Sequence, residues 1–247
     1  MSNILSKLLA EKNAKIKGGL YHKTQINLSY NSNRIEGSKI SQEQTRYIFE
    51  TKTIGFKEDP ALPVDDIIET KNHFAAFDKM LGRIDEDLSN EIIKEFHSIL
   101  KRATTQADTD LFALGDWKKI PNEVGGIKTT LPKNVQEEMD KLNDWYLNLK
   151  RISFEDIVKY HWRFECIHPF QDGNGRVGRL VMFRECLKNG VVPFIIEERY
   201  KQFYYRGLSE FARIREYLID TCKSMQDIYT EWVKYFYPEI KLTEKEQ

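Results

Sequence analysis

The sequence predicts a mainly α fold: a helical bundle packed around one loop-plus-helix motif, with a short β-hairpin beside it. Three observations carry this. Apolar residues recur at helical spacing along most of the chain. Only two stretches break that spacing, and one of them, Trp117 to Leu131 (WKKIPNEVGGIKTTL), has the turn residues of a hairpin. The densest run of chemical residues, His168 to Arg179 (HPFQDGNGRVGR), starts where a proline must end one helix and continues into another.

Taken in chain order, a helix is expected over 64–81. Ile92, Ile93, Phe96, Ile99 and Leu100 mark an apolar face after Ser89 and Asn90, either of which can cap it. In the break at 117–131, β-branched residues flank Pro121-Asn122 and Gly125-Gly126. A helix follows Pro132 with Val135, Met139, Leu142, Trp145 and Leu149 on one side. The next carries Phe154, Ile157, Val158 and Phe164, with Ser153 and Asp156 spaced as a capping box. Further helices are expected at 176–188, stopped by Gly190, and at 200–213 and 217–236. Val191 to Ile196 (VVPFII) reads as a short buried connector, and the final KLTEKEQ as a frayed tail. The organisation expected is an N-terminal region over 1–50, a main domain over 51–240 and a tail over 241–247.

The 247 residues suffice for one large domain, or one with an extension, and 40% are hydrophobic. Thirty-eight basic and 38 acidic residues cancel, so nothing in the total charge points to nucleic acid. The final helix is aromatic rather than basic, so no DNA-reading unit is expected there. Three scattered cysteines argue against a disulfide framework or structural zinc and for a reducing cytoplasm. The N-terminus lacks the apolar core of a secretion signal, and no apolar run is long enough to span a membrane. Phosphate-loop, HExxH and CxxC signatures are absent.

Within the motif, His168 stands at a helix end and can accept a proton near neutral pH. Phe170 reads as a loop anchor. Gly173, Asn174 and Gly175 let the backbone turn its N–H groups inward just ahead of a helix N-terminus, which makes an anion nest. Arg176 and Arg179 lie three apart on that helix and both can reach phosphate oxygens. Asp172 would repel a phosphate unless a Mg2+ ion bridged the two. Each feature alone has an ordinary structural explanation. Twelve residues holding all of them describe a site for transferring a phosphorus-centred group.

HPFQDGNGRVGR resembles the Fic motif, HPFx(D/E)GNGRxxR, at every fixed position, and the supporting pattern runs from about Ser32 to Leu208. The resemblance implies the Fic fold and a protein adenylyltransferase that moves AMP from ATP to a Ser, Thr or Tyr hydroxyl of a target protein, or of itself, and releases pyrophosphate. It implies His168 as general base and Asp172 as the ligand of Mg2+ (or Mn2+). Gly173, Asn174 and Gly175 would form the anion hole, with Arg176 on the β-phosphate side and Arg179 at the γ-phosphate. The hairpin matches the family's flap, with Gly125 and Gly126 beside the nucleotide and a target strand pairing along its edge. Lys201 to Leu208 (KQFYYRGL) is similar to the segment lining the nucleobase pocket, which makes Tyr204 and Tyr205 adenine contacts. Relatives often carry an Asn where this chain has Ala212, so one base or ribose contact differs.

Ser32 to Gly37 (SNRIEG) is similar to the family's inhibitory motif, (S/T)xxxE(G/N). Ser32 and Glu36 share a helix face, and Gly37 suits the position that ends the helix. The resemblance implies that Glu36 pairs with Arg179 at the γ-phosphate position, restraining the enzyme. The neighbouring Ser41-Gln42-Glu43-Gln44 reads as an ordinary capping box. Three other readings stay open at this level: a hydrolase that removes AMP with the same site, a transferase using another nucleotide, and a non-catalytic regulatory or toxin–antitoxin module. The partners expected are ATP and a target protein at the flap, with a homodimer as in many relatives, and neither nucleic acid nor membrane. His22, His73, His97 and His161 are expected to be structural.

Overall fold

The structure is a computed structural model and describes residues 3–54, 61–109 and 111–242. The described residues form ten α-helices and one two-stranded sheet. In order these are α1 (Asn3–Asn13), α2 (Leu20–Ile35), α3 (Gln42–Glu50), α4 (Val64–Gly82), α5 (Asn90–Lys101), β1 (Glu123–Val124), β2 (Ile127–Lys128), α6 (Pro132–Leu147), α7 (Phe154–Ile167), α8 (Asn174–Lys188), α9 (Lys201–Glu210) and α10 (Glu216–Phe236). Part of the tail expected at 241–247 lies outside the described residues.

Helix starts follow their caps. Ser153 and Asp156 form the expected capping box on α7, Ser41 and Gln44 form another on α3, and Ser89 caps α5. Pro132 occupies the first turn of α6, where its missing N–H costs nothing. Gly190 takes φ 72° after α8, and the buried connector Val191 to Ile196 runs on without regular structure.

Helix α8 is the hub. It packs on α2, α4, α5 and α7, and nearly every side chain from Asn174 to Leu187 is buried. Phe77 of α4 meets Phe183 of α8 edge-on at 5.5 Å, and Tyr229 of α10 meets the same ring at 5.7 Å. A helix buried on all sides has no polar face, which is why periodicity places its start at 176 whereas it begins at Asn174.

Two other expectations change. Helix α2 runs sixteen residues, and the motif at Ser32–Gly37 marks only its end. It carries no apolar stripe because it buries polar groups in specific pairs: Thr24 with the Tyr229 hydroxyl at 2.8 Å, Gln25 with Asp78 at 3.2 Å, and Ser29 with the Thr70 carbonyl at 3.3 Å. The hairpin is shorter than 117–131, with only two residues per strand. Pro121 offers no ladder N–H, and Lys118 and Asn122 direct their polar groups to the motif loop instead.

Close approach fixes the α9–α10 corner. A Cβ on Gly207 would lie 2.7 Å from the Leu218 Cα, and no rotamer relieves a backbone contact. Gly207→Ala gains helix propensity of ~1 kcal/mol but overpacks the corner by about 1–3 kcal/mol. A fall in the urea midpoint with unchanged slope is expected; an unchanged or higher midpoint would contradict this packing account.

Candidate active site

The site begins at the end of α7. His168 caps that helix in the left-handed conformation, φ 51° and ψ 62°, with its N–H donating to the Phe164 carbonyl at 2.9 Å. A non-glycine residue held there needs support from its surroundings. Asn174 supplies part of it: its side chain accepts from the Phe170 N–H at 2.7 Å and donates to the Phe170 carbonyl at 2.8 Å. Phe170 is fully buried, as an anchor should be, and stacks on the His97 ring at 3.9 Å and 2°. His97 Nδ1 accepts from the Gly115 N–H, so its Nε2 carries the proton and donates to the Asp172 carbonyl at 3.1 Å. Burial holds His97 neutral, with its pKa pushed down to about 3. His97 is therefore structural, and what it shapes is the motif loop.

His168 itself is largely buried. Burial first, and the Lys118 ammonium second, lower its pKa to about 4. The imidazole is a free base at neutral pH. The Glu165 carboxylate lies 3.8 Å from its Nδ1. Burial pushes the Glu165 carboxyl up to about 8, so that group is protonated at neutral pH and is a weak charge partner.

Gly173 takes φ 82° and turns the chain into α8. A carboxylate lies against the first turn of α8. A Cβ built on Gly175 would collide with Glu36 Oε1 and stand 2.8 Å from Arg179 Nη1. Glu36 follows the last turn of α2 as its C-cap, and Gly37 reverses the chain at φ 100°. Arg179 Nη2 donates to Glu36 Oε1 at 2.7 Å and to the Ser32 carbonyl at 2.9 Å, and its Nε donates to the Ser32 hydroxyl at 3.0 Å. Burial alone would raise the Glu36 carboxyl, but Arg179 and then Arg176 outweigh it and hold it ionised.

Asp172 and Arg176 belong to a second knot that sequence reasoning did not find. Lys101 of α5 donates to Asp172 Oδ2 at 2.7 Å and also pairs with Glu69 of α4. Arg176 reaches the same Asp172 oxygen at 3.2 Å and also pairs with Glu69. Burial would raise the Asp172 carboxyl, yet Arg176 and Lys101 bring it down to about 2. Arg176 is buried and held by two carboxylates, so a phosphate at its guanidinium would have to share it. No cluster of three His, Cys, Asp or Glu residues exists among the described residues to cage a metal. Asp172 still fits a hard cation held by one carboxylate plus phosphate oxygens: it is ionised, its side chain is 38% exposed, and both ion pairs fall on Oδ2.

The remaining expected residues divide. Tyr204 is 1% exposed, with its hydroxyl 2.6 Å from His161 Nε2 and its ring beneath Arg179 at 5.9 Å. It has no free face for a base. Tyr205 is 40% exposed, and its hydroxyl donates to the Ile35 carbonyl at 3.2 Å. Lys201 Nζ donates to the same carbonyl at 2.6 Å. Both thus grip the C-terminal end of α2, whose last carbonyls have no helical partner. Gly125 and Gly126, at φ 57° and 79°, make the two-residue turn of the hairpin and stand in open space. The bonds that tie the hairpin to the motif loop come from its base, at Lys118, Ile120 and Asn122.

Residues 87–186, which run from just before α5 to near the end of α8, match the model of the Fic/DOC family. Curated relatives named "Protein adenylyltransferase Fic" include one from Nematostella vectensis, 29% identical over 73% of this chain, and one from Aedes aegypti, 30% identical over 71%. The chain spans 42% and 35% of the length of those two proteins. Among solved structures, a Fic-domain-containing signaling protein from Bacteroides thetaiotaomicron aligns with a TM-score of 0.74 over 97% of this chain and 99% of its own, at 20% identity. Fic-1 from C. elegans aligns with a TM-score of 0.72 over 96% of this chain and 72% of its own, also at 20% identity. These two establish the fold.

Proposed function

Because the chain belongs to the Fic/DOC family through residues 87–186, we propose that it is a protein adenylyltransferase held in check by its own α2 helix. One observation carries the reading. An anion, the Glu36 carboxylate, already sits at the N-terminus of α8 and on Arg179, where an ATP phosphate would be bound. In the reaction, His168 Nε2 takes the proton of a target Ser, Thr or Tyr hydroxyl as its oxygen bonds to the α-phosphorus. The bond from that phosphorus to the β-phosphate bridging oxygen breaks, and pyrophosphate leaves. The backbone N–H groups of Gly173 to Gly175 and the Arg179 fork stabilise the charge that develops on the phosphates. Asp172 is the residue that would hold Mg2+ or Mn2+, and the ion would neutralise phosphate charge when bound.

The target enters along the hairpin. Val124 and Ile127 are exposed, and a two-stranded sheet has open edges for a third strand. Main-chain pairing there accounts for acceptor positioning without reading a particular target sequence. Incubating Glu36→Gly with ATP, CTP, GTP or UTP and mapping modified peptides by mass spectrometry tests the reaction class. Adenylylated hydroxyls with ATP are expected; a folded, ATP-binding variant that yields no modification would sink it.

The grip on Ile35 has its own consequence. Lys201→Met removes a charge-assisted bond to the end of α2, and basal AMP transfer is expected to rise by about 3–10-fold. In the Glu36→Gly background the same change is expected to do little, because no restraint is left to relieve. A fall in transfer in that background would instead make Lys201 a nucleotide contact. On described residues, no helix is long and apolar enough to cross a membrane.

A further inference from the structure

Lys118 is 2% exposed, yet its partners among the described residues are all neutral. Its Nζ donates to Asn122 Oδ1 and Thr129 Oγ1, both at 2.7 Å, and to the Ile167 carbonyl at 3.3 Å. Its main-chain N–H donates to the Pro169 carbonyl at 2.8 Å. Asn122 and Thr129 stand on opposite limbs of the hairpin, and Ile167 and Pro169 flank His168. Asn122 adds a bond to the Phe170 carbonyl at 3.1 Å, and the Thr129 hydroxyl donates on to Asn122 at 2.9 Å. Buried ammonium groups ordinarily have a carboxylate partner, so a neutral cage for one is costly and calls for a reason.

We infer that Lys118 is a positioning residue: it clamps both limbs of the hairpin to the end of α7 and so fixes the hairpin edge relative to His168. The inference rests on the proposed adenylyl transfer for its purpose, but the clamp is testable without it. One residue contacts both the platform proposed to seat the acceptor and the carbonyls on either side of the proposed base. Its charge acts on that base in the useful direction, since after burial the Lys118 ammonium is the next cause of His168 remaining unprotonated. Burial lowers the Lys118 amine itself to about 8, which leaves it mostly charged at neutral pH.

The test compares Lys118→Met, Lys118→Gln and Lys118→Arg in the full chain. Gln keeps a donor but no charge, and Arg keeps both. Amide exchange over residues 120–129 and 168–173 is expected to accelerate at least ~10-fold in Met, less in Gln, and little in Arg, with α6 unaffected. The His168 ring, followed by NMR, is expected to titrate about one unit higher in Met and Gln than in wild type, and near wild type in Arg. Unchanged exchange and titration in Met would overturn the inference, as would acceleration spread equally over α6. If Met does not fold, Gln decides by the same two readouts. In the Glu36→Gly background, Lys118→Met is expected to lower AMP transfer at least ~10-fold, and Arg to restore most of it; equal transfer in Met would also overturn the role. Exchange and titration use no ATP, so loss of the clamp and failure of the adenylyl-transfer reading give separate results.

Discussion

His168→Ala is expected to lower AMP transfer by about 10²–10⁴-fold, the ordinary contribution of a general base, while leaving ATP binding nearly intact. The side chain is largely buried but lies outside the hydrophobic core, so the fold should survive. The same group sets the pH dependence. A pKa lowered to about 4 means that the imidazole stays unprotonated until the medium is well into the acid range. From pH 7.5 down to 5.5 the His168-dependent rate should therefore be flat, and it should fall only as pH approaches about 4. An ordinary histidine would lose about tenfold by pH 5.5. Measured in Glu36→Gly, the acid limb should not move upward, because the Glu36 charge that favours protonation is gone. Stopped-time assays across that range, with and without His168, check both statements. A tenfold loss at pH 5.5 would show that His168 is not held as described.

Glu36→Gly is expected to raise AMP transfer by about 10–100-fold, corresponding to one charge-assisted hydrogen bond no longer opposing ATP. Arg179 keeps its two bonds to Ser32 but loses its counter-ion in a buried place. Without nucleotide the variant should melt lower than wild type, by about 1–3 kcal/mol of stability. ATP should then raise its melting temperature more than it raises that of wild type, since the phosphate replaces the missing carboxylate. Equal transfer rates in the two proteins would remove the restraint from the account.

Much of this was readable from residues alone, and the reasons differ by element. Helices α5, α6 and α7 bury one face, so their apolar spacing and caps mark them. Helix α2 buries Thr24, Gln25, Ser29 and Ser32 in cross-helix pairs, and a stripe of polar residues looks like a surface. The motif from His168 to Arg179 is contiguous, so its chemistry is visible in the letters. The Lys101–Glu69 knot is not, because its members come from α4, α5, the motif loop and α8 and meet only in three dimensions. Asp172 and Arg176 stand out in the motif, but Lys101 and Glu69 do not, and the two cations beside Asp172 explain how a half-buried carboxylate stays ionised. Tyr204 and Tyr205 show the opposite failure. Adjacent letters suggested one shared task, but on a helix neighbours point about 100° apart, and one ring lies in the core while the other reaches α2.

The account centres on Arg179 being shared between Glu36 and ATP, with His168 ready once ATP is held. The most direct measurement follows label from ATP into protein, the chain itself or added cell extract, for wild type, Glu36→Gly and Glu36→Gly/His168→Ala. Label from the α-phosphate should enter protein strongly with Glu36→Gly, weakly with wild type and not with the double variant, and label from the γ-phosphate should never enter. Incorporation of γ-label, or α-label that does not depend on Glu36 and His168, would contradict it.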